Sequence, residues 1–432
     1  MVKFNSSHFE PPYFSATNLA GLILLLYAPL LFLVRGGMNG SLFLLAIVSL
    51  AMLVVHRKSA SQIFDKTILL FGIAMSSGML VVLLSQIHHD DLSARYFDSN
   101  ARFLLAAPIL LALREMNPRT LSAIQYAFPL GALAALAMVF EAGGGLAGYA
   151  ATSFVNHIHL GDMALSLGLL SVLSLNWQGK DPVPVQALKW AGLLAGLVVS
   201  VLSSARGGWV AIPLIVAVSI YARNRNKFFS KFALALLSIF LVILLGYLFV
   251  PSIHWRLWMI YSDLSEYGAG NADTSIGIRL QLWKAALHLI AEYPILGVGA
   301  DGFGRAMDGL AATGFLTPLA AAYGKAEVHS ELLAQMVRFG VPGLCFILAI
   351  YFVPFYLFAK ALNTVHRLPK GAAVMGMSVT LGFFVFGLTV ETFDLKMTAA
   401  FYSLTVAALL AIATNKYAGI GDANQESRPS EH

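Results

Sequence analysis

Apolar residues in this chain run in long blocks broken by short polar segments, the spacing of neither a half-buried strand nor an ordinary amphipathic surface helix. A helix needs about 20 apolar residues to cross a bilayer. Blocks near that length lie at 18–34, 40–56, 67–87, 121–140, 158–175, 188–204, 208–222, 232–250, 331–358, 372–390 and 397–415. A shorter one, 103–113, is expected to extend on its N-terminal side. The pattern predicts an all-α polytopic membrane protein with about twelve transmembrane helices. The organisation that follows is 1–250 with transmembrane helices 1–9, then 251–330 as one long, partly helical loop. Residues 331–415 then hold helices 10–12, and 416–432 form a polar tail expected to be disordered.

Composition agrees: 58% of the residues are hydrophobic and 12% charged, which excludes a soluble domain of this size. The single cysteine, Cys345, lies inside an apolar block, which leaves no disulfide within the chain and no cysteine-based metal site. Met1 to Pro12 is polar with only Lys3 as a cation and does not read as a cleaved signal peptide.

The net charge of +6 reports topology before it reports nucleic acid. With the N-terminus inside, loops 57–66, 114–120, 176–187, 223–231 and 359–371 and both tails hold 17 of the 28 Lys and Arg, counting Lys189 at a span entrance. The short outer segments hold five, Arg35, Arg95, Arg102, Arg206 and Lys396. The positive-inside rule therefore puts both termini in the cytoplasm. Polar groups then converge on the outer face: His88 to Asp91, His157, His159, Asp162, Arg206, the 251–330 loop and the Glu391 to Lys396 corner.

Within the long loop, Ile276, Leu280, Trp283, Leu287 and Ile290 recur at helical spacing, which predicts an amphipathic helix ended by Pro294 and lying on the membrane interface or capping the spans. It is too small to form an independent domain. Gly297 to Gly302 matches GxGxxG, but it follows a helix rather than a strand and no βαβ unit surrounds it. A glycine-rich turn re-entering the membrane surface fits better. Glu327-Val328-His329-Ser330-Glu331 leads directly into the next span, and Gly340-Val341-Pro342-Gly343 is expected to kink it.

Ser203-Ser204-Ala205-Arg206-Gly207-Gly208-Trp209 sets one arginine in a tight corner between two apolar blocks. A guanidinium is too costly at mid-bilayer, so it belongs at a membrane face aimed at an anion, with Trp209 anchoring among the headgroups. Three pieces thus follow in order: the Arg206 corner, then Arg279-Leu-Gln-Leu-Trp283 with Pro294-Ile-Leu-Gly-Val-Gly299, then His329 with Gly340-Val-Pro-Gly343. Together they resemble the O-antigen ligase and polymerase superfamily of bacterial inner-membrane glycosyltransferases, over about residues 150–400, and the ligases most closely. Where that pattern often has Asn after the histidine, this chain has Ser330.

The resemblance implies a membrane glycosyltransferase (GT-C type) architecture. It implies a metal-independent, inverting transfer of polysaccharide from undecaprenyl pyrophosphate to a sugar hydroxyl of lipid A-core, with the active site facing the periplasm and no cofactor. It carries over Arg206, Arg279 and His329 as catalytic residues. The chemistry of the residues is compatible: arginine forks bind phosphate oxygens, and a neutral histidine accepts a hydroxyl proton. Glu327, Asp301, Glu391 and Asp394 are rival bases. His157, His159, Asp162, Arg95, Arg102, Glu327, Arg338, Glu391 and Asp394 are candidates for substrate binding. Asp90 and Asp91, adjacent in sequence, would point apart and make a poor metal cage even with His88 and His89. The expected partners are the lipid-linked donor, lipid A-core and membrane lipids, with no nucleic acid. A polymerase or a protein O-glycosylating relative would run the same chemistry on another acceptor. A secondary transporter, the rival of another class, calls for mid-membrane charges and paired broken helices that the blocks lack.

Overall fold

The computed structural model describes residues 16–55, 65–142, 154–203 and 206–415, without the side chains of Arg206, Ser252 and Arg256. The readings of Met1 to Pro12, of the tail 416–432 and of most of loop 57–66 lie outside the described residues. The described chain is helical throughout, with α1 (Ala16–Leu33), α2 (Gly37–Val55), α3 (Lys66–His89), α4 (Asp98–Leu113), α5 (Ile124–Glu141), α6 (His157–Leu173), α7 (Val183–Leu202), α8 (Ala211–Arg223) and α9 (Phe228–Phe249). Then follow α10 (Pro251–Gly268), α11 (Ser275–Glu292), α12 (Gly302–Ala312), α13 (Pro318–Gly324), α14 (Glu331–Ala361), α15 (Arg367–Phe386) and α16 (Lys396–Ala413).

Among the described residues, nine helices are long and apolar enough to cross a membrane, while α6 and α8 are shorter and apolar. The block expected at 103–113 is the C-terminal part of α4, which starts at Asp98. Helix α16 is the innermost element, rich in Ala, Thr and Ser, and packs against α4 and α15. Small side chains let helix backbones approach closely where lipid supplies no hydrophobic drive. The crossing of α6 and α7 uses the same device, since a Cβ on Gly168 would lie 3.1 Å from the Gly192 carbonyl oxygen. At the other extreme, α9 buries only Gly246 and touches α8 and α10.

Short connections make successive spans run in opposite directions, so the loops divide into two ends of the bundle. One end, the loop end, is tied by Arg305 to Asp91 at 4.0 Å, by Arg338 to Glu391 at 2.6 Å, and by the pairs Arg95–Asp301 and Lys396–Asp98. The far end is tied by Arg114 to Asp65 at 2.9 Å and by the Trp177 indole N–H donating to the Leu368 carbonyl at 2.8 Å. There Lys189 is fully buried and donates to Gln125 Oε1, the Ser174 carbonyl and Asp181 Oδ2 at 2.8, 2.7 and 2.9 Å.

The long loop departs from the expected stripe. The buried face of α11 runs through Ile278, Leu282, Ala285, Ala286, Leu289 and, as expected, Ile290, while Leu287 is exposed and Ile276, Leu280 and Trp283 are only half-buried. The reason is that α11 has partners on both sides. Phe303 and Met307 of α12, Ala320 and Ala321 of α13, and Ala334 and Val337 of α14 close a second hydrophobic core with it, separate from that of the bundle. So α11 is more than an interfacial cap.

The two glycine motifs explain each other. Gly340 has φ +63° and interrupts α14. The Arg338 carbonyl could find no helical partner in any case, because Pro342 has no N–H. Segment 294–299 fills the break: Val298 N–H donates to the Val337 carbonyl at 2.9 Å, and Gly299 N–H to that of Arg338 at 3.0 Å. In return Val341 N–H donates to the Pro294 carbonyl at 3.0 Å. Only glycine fits, since Gly297 has φ +68° and a Cβ there would lie 2.5 Å from the Arg338 carbonyl oxygen. The glycine-rich turn thus plugs a broken helix.

Candidate active site

His329 sits in the short segment between α13 and α14, with its backbone in the left-handed region at φ +59°. Non-glycine residues adopt that conformation only when their surroundings enforce it, and such strain gathers at functional sites. Both flanks are held. The Trp283 indole of α11 donates to the His329 carbonyl at 3.2 Å, and Glu391 accepts from Val328 N–H. The ring is buried, and its Nδ1 lies 2.8 Å from Glu327 Oε1. The two are in ion-pair contact, without a formed hydrogen bond at Nδ1. Burial pushes the Glu327 carboxyl up, but the contact and charge of His329, with His159 and Arg279 beyond, outweigh it and hold Glu327 below its ordinary value.

The start of α6 supplies the next groups. Asn156 caps it by accepting from Ile158 N–H at 2.9 Å, which sets His157, His159 and Asp162 on the first turns. His159 and Asp162 are buried, and Asp162 Oδ1 has no hydrogen-bond partner. The Arg206–Val210 turn packs onto this helix: a Cβ on Gly208 would lie 2.5 Å from Asp162 Oδ1. Trp209 does not anchor among headgroups as expected. It is half-buried, and its indole N–H donates inward to Ser200 Oγ at 3.1 Å. Arg279 joins from α11, where its charge acts on His157, Asp162 and Glu327. His157, His159, Asp162, Arg279, Glu327 and His329 therefore form one neighbourhood beside the Arg206 turn.

Arg338, Glu391 and Asp394 form a second group behind it. Glu391 is held by Arg338 at 2.6 Å and by Val328 N–H. Burial raises the Glu391 carboxyl, Arg338 opposes this, Asp394 adds to it, and the balance lies above the ordinary value. Glu391 thereby supports the backbone of the His329 segment. Arg95 and Asp301 pair with each other rather than with a member of the cluster around His329. Arg102 is buried elsewhere, donating to Asn39 Oδ1 at 2.7 Å and to the Asp98 carbonyl, which ties α4 to α2.

Sequence reasoning passed over Glu331, which is buried at the start of α14. It accepts from Gln335 Nε2 at 2.8 Å and from Phe393 N–H at 2.9 Å, fastening the 387–395 loop beside His329. Its signal was present: a carboxylate in the first turn of a span is too costly to keep unless something uses it. Among the described residues, no group of three or more His, Cys, Asp or Glu is placed to hold a metal, and His88 pairs edge-on with His89.

Residues 191–348 match the O-antigen ligase family, a stretch that carries both the Arg206 turn and the His329 segment. An uncharacterized protein of Haemophilus influenzae is 26% identical over 362 residues, covering 82% of this chain and 88% of the relative. The match over 191–348, which takes in the Arg206 turn, Arg279, Glu327 and His329, and the all-helical architecture together support membership of the superfamily of O-antigen ligases and polymerases, glycosyltransferase-like membrane enzymes.

Proposed function

We propose that this chain is an O-antigen ligase that moves polysaccharide from undecaprenyl pyrophosphate to a sugar hydroxyl of lipid A-core on the periplasmic face of the inner membrane. The observation that carries this reading is the contact of Glu327 with His329 Nδ1 within reach of Arg279. Glu327 orients the ring, and His329 Nε2 takes the acceptor proton as the hydroxyl oxygen attacks the anomeric carbon. The anomeric carbon–oxygen bond to pyrophosphate breaks on the opposite side, which inverts the linkage. Arg279 and Arg206 receive the charge on the departing pyrophosphate through bidentate forks, the role a divalent ion fills in many phosphoryl sites. The exposed basic residues of the far end support a cytoplasmic position for it, with the loop end outside.

The test is transfer by the purified full chain from lipid-linked polysaccharide to lipid A-core in excess chelator. Continued transfer with inverted linkage is expected. Activity that disappears and returns with magnesium or manganese would overturn the metal-free mechanism. Extension of the lipid-linked polymer with lipid A-core ignored would make the chain a polymerase. For orientation, Asn271→Cys in a Cys345→Ala background should react with an impermeant thiol reagent in intact spheroplasts. Reaction only after permeabilisation would reverse the arrangement.

A further inference from the structure

The loop end holds a second polar space that the mechanism leaves unused. It is a cavity of about 480 Å³, within the range of small-molecule sites. Arg95, Arg305, Lys325, Arg338 and Lys396 line it, from five separate stretches of chain. Three carboxylates, Asp98, Asp301 and Asp394, face them, so positive charge is in excess. None of His157, His159, Asp162 or Arg279 lines it, so it is separate from the cluster that serves the donor pyrophosphate. It is nonetheless adjacent to the chemistry. Its wall includes Gly324, Lys325 and Ala326, directly before Glu327, and Gln335 and Arg338 on the helix that follows His329.

The cations differ in how firmly they are held. Arg338 is mostly buried and fixed on Glu391. Arg305 is 61% exposed and only 4.0 Å from Asp91, while Lys325 is half exposed and pairs with Asp308, which does not line the cavity. Exposed pairs of this kind contribute little and exchange easily for a better anion. Arg95–Asp301 and Lys396–Asp98 at the rim are also exposed. The arrangement has a fixed cation on the floor and exchangeable ones at the mouth.

We propose that this cavity binds an anionic group, phosphate or carboxylate, carried by the acceptor saccharide, and so holds the acceptor hydroxyl next to His329. The assignment rests on the ligase reading for the identity of the acceptor, but not for the binding of an anionic sugar. An anion seated among Arg305, Lys325 and Arg338 keeps the acceptor apart from the donor pyrophosphate, and the 324–329 segment lies between the two. Acceptors lacking the anion lose this hold while the chemistry stays unchanged.

Two measurements on the full chain test it. In phosphatidylcholine nanodiscs, saturation-transfer NMR should show binding of glucose 6-phosphate or glucuronate but not glucose. The Arg305→Gln/Lys325→Gln variant, altered at exposed side chains, should lose that binding. Equal binding of glucose, or anionic binding untouched by the variant, would overturn the proposal. Displacement of the sugar by added phosphatidylglycerol would assign the cavity to lipid headgroups and overturn it as well. In the transfer assay, the variant should raise the acceptor KM by about tenfold and leave kcat and the donor KM within about twofold. It should also lose any preference for phosphate-bearing over phosphatase-treated lipid A-core. Transfer indifferent to the acceptor's anion would end the inference and leave the ligase reading standing. Anionic-sugar binding without any transfer would do the reverse.

Discussion

Both ends of the bundle bury charge, and they treat it differently. At the far end, Lys189 is fully enclosed and its three donors meet three acceptors. At the loop end, Asp162 Oδ1 and His329 Nδ1 are buried without hydrogen bonds, and His329 holds a backbone conformation that costs energy. A fully satisfied network pins helices together, whereas buried polar atoms left without a formed hydrogen bond add little to the packing that holds them. Arg114 Nη1 at the far end is also buried without a partner, so the contrast lies between the Lys189 clamp and the His329 neighbourhood rather than between the two ends as wholes.

The sharpest way to break it is at His329. His329→Gln keeps a hydrogen-bonding side chain but takes no proton at neutral pH. It should cut transfer by about 100- to 10,000-fold with little change in thermal unfolding. Near-normal turnover would leave His329 only a positioning role and move suspicion to Glu327, Glu391 and Asp394. At the clamp the outcome should invert. Lys189→Met strands Asp181 in a buried site and should destabilise the fold by about 3–5 kcal/mol, read by detergent-solubilised thermal or denaturant unfolding. Activity per folded molecule should hold. A stable but inactive Lys189→Met protein would show that the far end reaches the chemistry.

Arg279→Lys keeps the charge and removes the fork, and should lower kcat/KM by about 10- to 100-fold with insertion unchanged. The same change at Arg206 should behave alike if both hold pyrophosphate, and full activity for both lysines would reduce them to a background field. The smallest effect concerns Glu327. Its carboxyl is held below its ordinary value, so its ionised form adds stability that is present above the unfolded pKa and lost as pH falls through the folded one. Glu327→Gln should therefore flatten the acid side of the stability profile, below about pH 4.5. An unchanged acid limb would mean that the contact with His329 carries no net energy.

The spans were legible because a bilayer imposes length and apolarity on each helix separately. The block at 103–113 was cut short because Asp98 and Arg102 break the apolar run, although Arg102 is satisfied inside the protein. The stripe on α11 was misplaced because Ala285 and Ala286, too small to stand out in a hydrophobic pattern, form the face that packs. Arg206, Arg279 and His329 were readable as motifs. Their neighbours in space were less so. That Trp283 would hold the His329 carbonyl, or Glu391 the amide before it, depends on segments distant in sequence, and a single chain carries no record of such pairing.

The backbone exchange between segment 294–299 and the break in α14 bears on how this enzyme can be altered. Swapping the long loop between relatives is an obvious route to new acceptor preference. Here the loop and the helix share three main-chain hydrogen bonds and are matched through Gly297 and Gly340. A loop transplanted alone would leave the Val337 and Arg338 carbonyls open in the second turn of α14. The unit of inheritance is therefore the pair, and chimeras that cross over between residues 300 and 331 should fail unless the donor brings both halves.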